Sequence, residues 1–509
     1  MIEQATGLPI QTTSDGYLLV LAIMLPVVGI LLSLLFGRLV ERIALVLGPL
    51  GLGVAAAVFV TVWRSGRPLV YVVGGWEPPL GIVLRADGLS AAMMMTTAII
   101  ICATGAFAQD EFGQSPRAAE ARGSLVFWIL LLAIWSALNA IVVGNDLFNL
   151  YVALELLTFA AVPLVCLKGS AATVRAALRY MLFALLGSIL YLMGAVLIYG
   201  AFGTLDITLL SGRVRGEWVA AVAAALMTIG LLAKTALFPL HLWLPPAHAG
   251  APAPGSAVLS ALVVKGSFFL IVRLFFDAMP GLLTMAAAQL LAALGAAAIL
   301  FGSVLALRQQ RLKLLIAYST IAQIGYLFFL FPLGLGLAGS EASGAAWTGG
   351  WLQLFSHAFA KAAMFMAAGL IAEALGHDRI AELSGVARAV PISMVTFALA
   401  GLSLMGVPPS GGFVAKGLLL IAAVRAAQWW WAAVILIGGL LAGGYVLVVV
   451  GKALVSTQRP LVLKTCPSRR RELIALTVAL CAVVLGLVPL RSSQLLQIGR
   501  PSAVGVAQR

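Results

Sequence analysis

Apolar runs of about 20 residues follow one another along almost the whole chain, and no other feature narrows its possible folds so far. About fourteen such runs can be placed, each long enough to cross a bilayer core as an α-helix. They centre near Met24, Gly53, Thr97, Leu132, Leu157, Ile189, Ile229, Leu262, Ala293, Ile321 and Met364, then on an interrupted stretch from Ala400 to Leu420, and finally near Ile437 and Ala479. Composition removes the alternative. Of 509 residues, 62% are hydrophobic and only 10% charged. A soluble domain so composed would have no surface to offer water, so the expected fold class is an all-α integral membrane protein.

The net charge of +14 does not point to nucleic acid, because the basic residues are scattered over short connections. They fall in four groups: Arg38 and Arg42; Lys168, Arg175 and Arg179; Arg308, Arg311 and Lys313; then Lys452, Arg459, Lys464 and the run Arg469 to Arg471. With an even number of spans all four lie on one side, which the positive-inside rule makes cytoplasmic. Both termini are then expected outside, in a bacterial inner membrane. The acidic opening stretch Met1 to Gly16 is unlike the basic start of a signal peptide, so the first span is expected to be retained. Cys102, Cys166, Cys466 and Cys481 form no CxxC, and no P-loop, GxGxxG or haem-attachment pattern occurs. No cofactor, metal or redox site of its own is expected.

Two spans interrupt themselves. "IGLLAKTALFPLHLWLPPAHAG" (229–250) carries Pro239 beyond Lys234, and "SLMGVPPSGGFVAKGLLL" (403–420) carries Pro408, Pro409, Gly411 and Gly412 before Lys416. Proline removes a backbone donor and clashes with the preceding turn, and unpaired backbone at membrane depth is tolerated only beside protein or cavity water. Paired breaks in corresponding halves point to inverted repeats with a site at the breaks. These lie about five spans apart, and an odd-numbered unit inverts its second copy. The expected division is 1–122 (three leading spans), 123–280 and 281–451 (two inverted five-helix repeats), and 452–509 (basic loop, last span and tail).

A charge near the bilayer centre costs about 2.5–3.5 kcal/mol on insertion, so each needs a reason. Glu155, Lys234, Lys265, Lys416 and the i,i+4 pair His357 and Lys361 all lie within apolar runs. His241 and His248 lie in the first interruption, where a histidine can equally cap or pack. Lys168, Lys313, Lys452 and Arg273 suit snorkelling to the interface, and Asp146 and Glu373 suit span ends. Burial lowers a lysine's proton affinity and a neighbouring carboxylate restores it, so a lysine between the two can load and release a proton. A row of them suits protons; sodium would ask for carboxylate and carbonyl oxygens.

The segments "NDLFNLYVALELL", "LLAKTALFPLHLWLPPAHAGAPAPGSAVLSALVVKGSFF", "RLKLLIAYSTIAQIGY", "SHAFAKAAMF" and "GVPPSGGFVAKGLLL" resemble the antiporter-like subunits shared by Mrp-type Na+/H+ antiporters, respiratory complex I and membrane-bound hydrogenases. The resemblance covers roughly Gly123 to Val450. It implies fourteen helices with two inverted five-helix repeats, a glutamate on the fifth helix (Glu155) and lysines on the seventh and eighth (Lys234, Lys265). It also implies a histidine and lysine on the eleventh (His357, Lys361) and a lysine on the twelfth (Lys416). "GGWEPPLGIVLRADGLSA" resembles the D-type member of the Mrp antiporters and the hydrogenase homologues, whereas the middle complex I relative has a glutamate where Lys416 stands. About 20 residues follow the last span, so neither a lateral helix nor a large C-terminal extension is expected. The implied function is a proton-translocating subunit of a multi-subunit antiporter, with other membrane subunits, protons, the lipid bilayer and, through the complex, Na+ as partners. The alternative is the same proton path driven by a redox arm on other chains, as in an NADH–quinone oxidoreductase or hydrogenase. A self-contained symporter would show a roomy substrate pocket, and a scaffold would not need these charges.

Overall fold

The computed structural model describes residues 11–113, 118–335, 341–456, 463–487 and 493–499. Both termini, with the placement expected for them, and Arg459 lie outside the described residues.

The chain is a multi-pass membrane protein built from helices. The first three are α1 (Tyr17–Leu35), α2 (Val40–Ser65) and α3 (Gly88–Phe112), followed by α4 (Ala118–Val143), α5 (Leu147–Val165) and α6 (Ala171–Phe202). A short α7 (Ile207–Arg213) precedes α8 (Trp218–Thr235), α9 (Leu244–Gly250), α10 (Ala253–Val258) and α11 (Val264–Val272). Then come α12 (Met285–Leu307), α13 (Leu312–Gly325), α14 (Leu330–Leu335), α15 (Glu341–Leu375) and α16 (Val386–Ala389). The last are α17 (Pro391–Met405), α18 (Gly411–Arg425), α19 (Trp429–Leu454), α20 (Arg469–Val484) and α21 (Ser493–Gln497). Among the described residues, 12 helices are long and apolar enough to cross a membrane, against the fourteen expected. The difference lies in shorter helices: α17 and α18 have 15 residues each and flank the second interruption, and α20 has 16.

One feature departs from an all-α reading. Between α2 and α3 the chain forms an antiparallel hairpin, β1 (Leu69–Val72) against β2 (Val83–Ala86), with Leu69 opposite Ala86. Val70 and Val72 in β1 and Val83 in β2 flank a Gly- and Pro-rich tip, which suits a hairpin, but four-residue strands are too short to stand out from the sequence.

The core runs through the middle of the chain. The unit Ala253–Ala278, α10 and α11 with the π turn Leu259–Val263 between them, is almost wholly buried, whereas most residues of α1 and α19 are not. Helices apolar on all sides and rich in Ala and Gly suit such a position, and the outer helices present Leu, Val and Phe to lipid. Facing glycines set the closest approaches. A Cβ on Gly187 of α6 would stand 2.6 Å from the carbonyl oxygen of Gly230 in α8. One on Gly295 of α12 would stand 2.5 Å from that of Gly325 in α13.

Both interruptions are present. α8 stops at Thr235, Ala236 turns left-handed (φ 58°), and Pro239 lies in the non-helical stretch before α9. α17 stops at Met405, Gly406 turns left-handed (φ 80°), and Pro408 and Pro409 precede α18. Ser410 caps α18 by accepting from the Phe413 N–H, so Gly411 and Gly412 form its first turn. Their lack of a side chain serves close packing there: a Cβ on Gly411 would meet Ser356 at 3.0 Å.

Candidate functional site

Lys234 occupies the last turn of α8, where the close α6–α8 contact leaves room for its stem beside Gly187. Its ammonium donates to Glu155 Oε1 of α5 at 3.1 Å and to Thr158 Oγ1 at 2.9 Å. Ser188 of α6 donates to the same carboxylate oxygen. Glu155 is the more open partner, its side chain 14% exposed against 6% for Lys234. A pair this deep is held by geometry: deleting one member leaves the other charged without compensation, at a cost of about 3–5 kcal/mol.

Lys265 begins the turn after the π segment and donates to the Ser260 carbonyl inside it. Ser260 Oγ is 2.9 Å from Thr320 Oγ1 of α13, which in turn donates to the Ile316 carbonyl at 3.0 Å. Lys361 of α15 donates to that same carbonyl at 2.9 Å and to Ser319 Oγ at 2.5 Å. Lys265 and Lys361, distant in sequence, are thus held by two residues in contact with the same Thr320: Ser260 through its hydroxyl and Ile316 through its carbonyl. His357 lies one turn before Lys361, buried, with neither ring nitrogen hydrogen-bonded to protein. Lys416, one turn into α18, donates to the Leu404 carbonyl at 2.6 Å and stands 4.4 Å above the Tyr326 ring. No carboxylate is among its partners.

The two histidines of the first interruption are buried also. His241 packs against Phe238 and Phe301, and His248 lies 4.6 Å from the Phe365 ring, with neither of its nitrogens bonded to protein. Glu155 and Lys234 meet directly, and Lys265 meets Lys361 through hydroxyls and carbonyls. His241 contacts none of the six by hydrogen bond. The hydroxyls and amides completing this row, among them Thr158, Ser188, Ser260, Ser319, Thr320 and Gln323, were not singled out in the sequence. Their signal was polar residues in apolar windows, as in "AYSTIAQIGY", but Ser, Thr and Gln are cheap enough in spans to pass unnoticed.

Arg273 corrects an expectation. It does not snorkel; its guanidinium bonds both Asp87 oxygens at 2.6 and 2.7 Å, Asp277 at 2.8 Å and Ser90 at 2.9 Å. The start of α3 closes over it and supplies a bidentate carboxylate, which reaching for water could not match. Burial alone would raise the Asp87 carboxyl; Arg273 outweighs it and holds the group down at about 2. Lys313 likewise donates inward, to the Ala251 carbonyl at 3.1 Å, while Lys168 and Lys452 are exposed. Asp146 caps α5, accepting from the Phe148 and Asn149 N–H groups, and Glu373 pairs with Arg471 at 2.7 Å.

Residues 144–442, which contain every member of this row, match the family described as "NADH:quinone oxidoreductase/Mrp antiporter, TM". The chain belongs to that family. Its relatives in the NADH:quinone oxidoreductase/Mrp antiporter family fall on both sides of that double name. The NADH-quinone oxidoreductase N chain of Desulforudis audaxviator is 35% identical over 70% of this chain and 69% of that protein. The D chain of the Na(+)/H(+) antiporter of Alkalihalophilus pseudofirmus is 31% identical over 71% of each. Among solved structures, a chain of the Mrp complex from Dietzia sp. shares the fold with a TM-score of 0.86, at 24% identity and 98% coverage of both chains.

Proposed function

We propose that this chain is a proton-translocating membrane subunit of a multi-subunit cation (Na+)/H+ antiporter of the Mrp type. It moves protons along Glu155, Lys234, Lys265, His357, Lys361 and Lys416. The observation that carries the reading is a set of buried donors and acceptors: an ion pair at one side, two core lysines on the carbonyls of Ser260 and Ile316, which the Ser260–Thr320 hydroxyl contact brings together, and a lysine at the second interruption. While Glu155 faces Lys234, the ammonium is favoured; when the pair opens, burial favours the neutral amine and the proton moves on. The row offers one carboxylate against four lysines, a donor set suited to protons, so Na+ would pass elsewhere in the complex. The Na(+)/H(+) antiporter relatives support this assignment. In this reading the chain sits among other membrane subunits, residues 123–280 and 281–451 are two inverted five-helix repeats, and both termini face the periplasm.

A second reading has a specific observation behind it: the 35% identity to a quinone oxidoreductase chain. There the same proton path would be driven by electron transfer on other chains, and the subunit would serve a translocase. Everted membrane vesicles holding the assembled complex separate the two. Collapse of a preformed pH gradient on adding Na+, with no electron donor present, is expected for the antiporter. A strict requirement for an electron donor would select the second reading. In either case Lys416→Arg should assemble normally and transport poorly, because arginine keeps charge and reach but cannot release its proton. Full activity in Lys416→Arg would remove that lysine from the path.

A further inference from the structure

The second interruption frees one carbonyl in particular. In an unbroken helix the Leu404 carbonyl would accept from the N–H four residues on, but that residue is Pro408, which has none. Lys416 takes one lone pair of this oxygen. The other goes to the side-chain amide of Gln323 on α13, whose Nε2 donates to it at 3.0 Å. Gln323 is 1% exposed, and its position is fixed from behind: Gln353 Nε2 of α15 donates to its Oε1 at 3.0 Å, and Tyr445 of α19 stands 3.3 Å from its Nε2. The carbonyl only accepts and Gln353 approaches with a donor, so one orientation of the Gln323 amide satisfies both.

We infer that Gln323 is the positioning residue for Lys416: it shares the Leu404 carbonyl with the ammonium and keeps that carbonyl satisfied when the ammonium becomes an amine. The inference rests on reading Lys416 as a proton carrier. Two donors on one oxygen weaken each other, so Gln323 loosens the hold on the charged lysine. Once the proton has gone, the neutral amine is the weaker donor, the Gln323 hydrogen bond to Leu404 strengthens, and the buried carbonyl stays satisfied. Lys234 differs here because its partner is a carboxylate. Around Lys416, Tyr326 lies under the ammonium and Tyr445 on α19 reaches Gln323; α15 carries His357 and Lys361 with Glu341 and Glu373 near its ends, α13 carries Lys313 and Tyr318, α19 also Lys452, and α18 itself Arg425. α14 and α17 carry none, and α20 has only Cys481 beyond its charged first turn.

Gln323→Met keeps length and apolar fit but removes the donor; Gln323→Glu keeps shape and adds a negative charge near the ammonium. In everted vesicles holding the assembled complex, both should move the pH profile of proton-coupled transport to the alkaline side by on the order of one pH unit, because Lys416 then keeps its proton longer. A merely structural Gln323 would reduce the amount of assembled complex and leave the profile of the remainder unchanged, which overturns the inference. Should Gln323→Glu fail to assemble, the profile of Gln323→Met decides. Lys416→Arg measured alongside keeps the two failures apart. Full activity there discards the role of Lys416 and of Gln323 with it; poor activity with an unshifted Gln323→Met profile discards Gln323 alone.

Discussion

Glu155 and Lys234 compensate one another's charge inside the membrane-spanning helices. Removing either leaves the other without its compensating charge in a low-dielectric site. Glu155→Ala and Lys234→Ala should therefore each abolish proton-coupled transport while the complex still assembles, as read by vesicle transport beside a native gel of the solubilised complex. Near wild-type transport in either assembled variant would take the pair out of the path. All six ionisable members of the row could be read from the sequence, because a Glu or Lys deep in an apolar run carries a cost that demands a partner. The partners were harder. Nothing in the sequence distinguishes Thr158, which touches Lys234, from Thr97, whose buried hydroxyl bonds no protein group. Arg273 was misjudged for a related reason: its carboxylate partner Asp87 lies 186 positions away.

Proline and glycine announce the two interruptions, so these elements were legible, and the loss of a donor at Pro239 and Pro408 suffices to explain them. The π turn before Lys265 was not legible, since a helix absorbs one extra residue without any change in its apolar pattern. The glycine contacts between helices were also missed, because 53 glycines in the chain hide the few that matter. Two substitutions expose the difference. Gly230→Ala pushes a methyl group onto the main chain of α6, and should lower stability by about 1–3 kcal/mol or more, seen as a fall in the melting temperature of the purified protein in detergent. Gly417→Ala meets nothing within 4 Å and should be neutral or stabilising, since alanine is the better helix former by about 1 kcal/mol. Equal behaviour of the two would show that the α6–α8 contact is not tight.

For the whole molecule, the four basic groups predict an orientation: reporters inserted after Arg175 and after Arg470 should be cytoplasmic, and reporters at either terminus periplasmic. A cytoplasmic C-terminus would leave an odd number of crossings and undo the inverted-repeat division. The membrane class followed from apolar content and run length alone, while two of the fourteen expected spans are shorter than a regular crossing among the described residues: the pair α17 and α18, cut at Pro408 and Pro409, and α20. The facing glycines bear on how such a body can move. Gly187 with Gly230, and Gly295 with Gly325, lock α6 to α8 and α12 to α13 main chain against main chain, one seam in each half of the chain. Helices in such close contact are expected to move as pairs, so a working stroke would be taken up at the non-helical stretches from Ala236 to Trp243 and from Gly406 to Ser410. Each seam would then serve as an anvil for the side chains proposed to carry protons beside it.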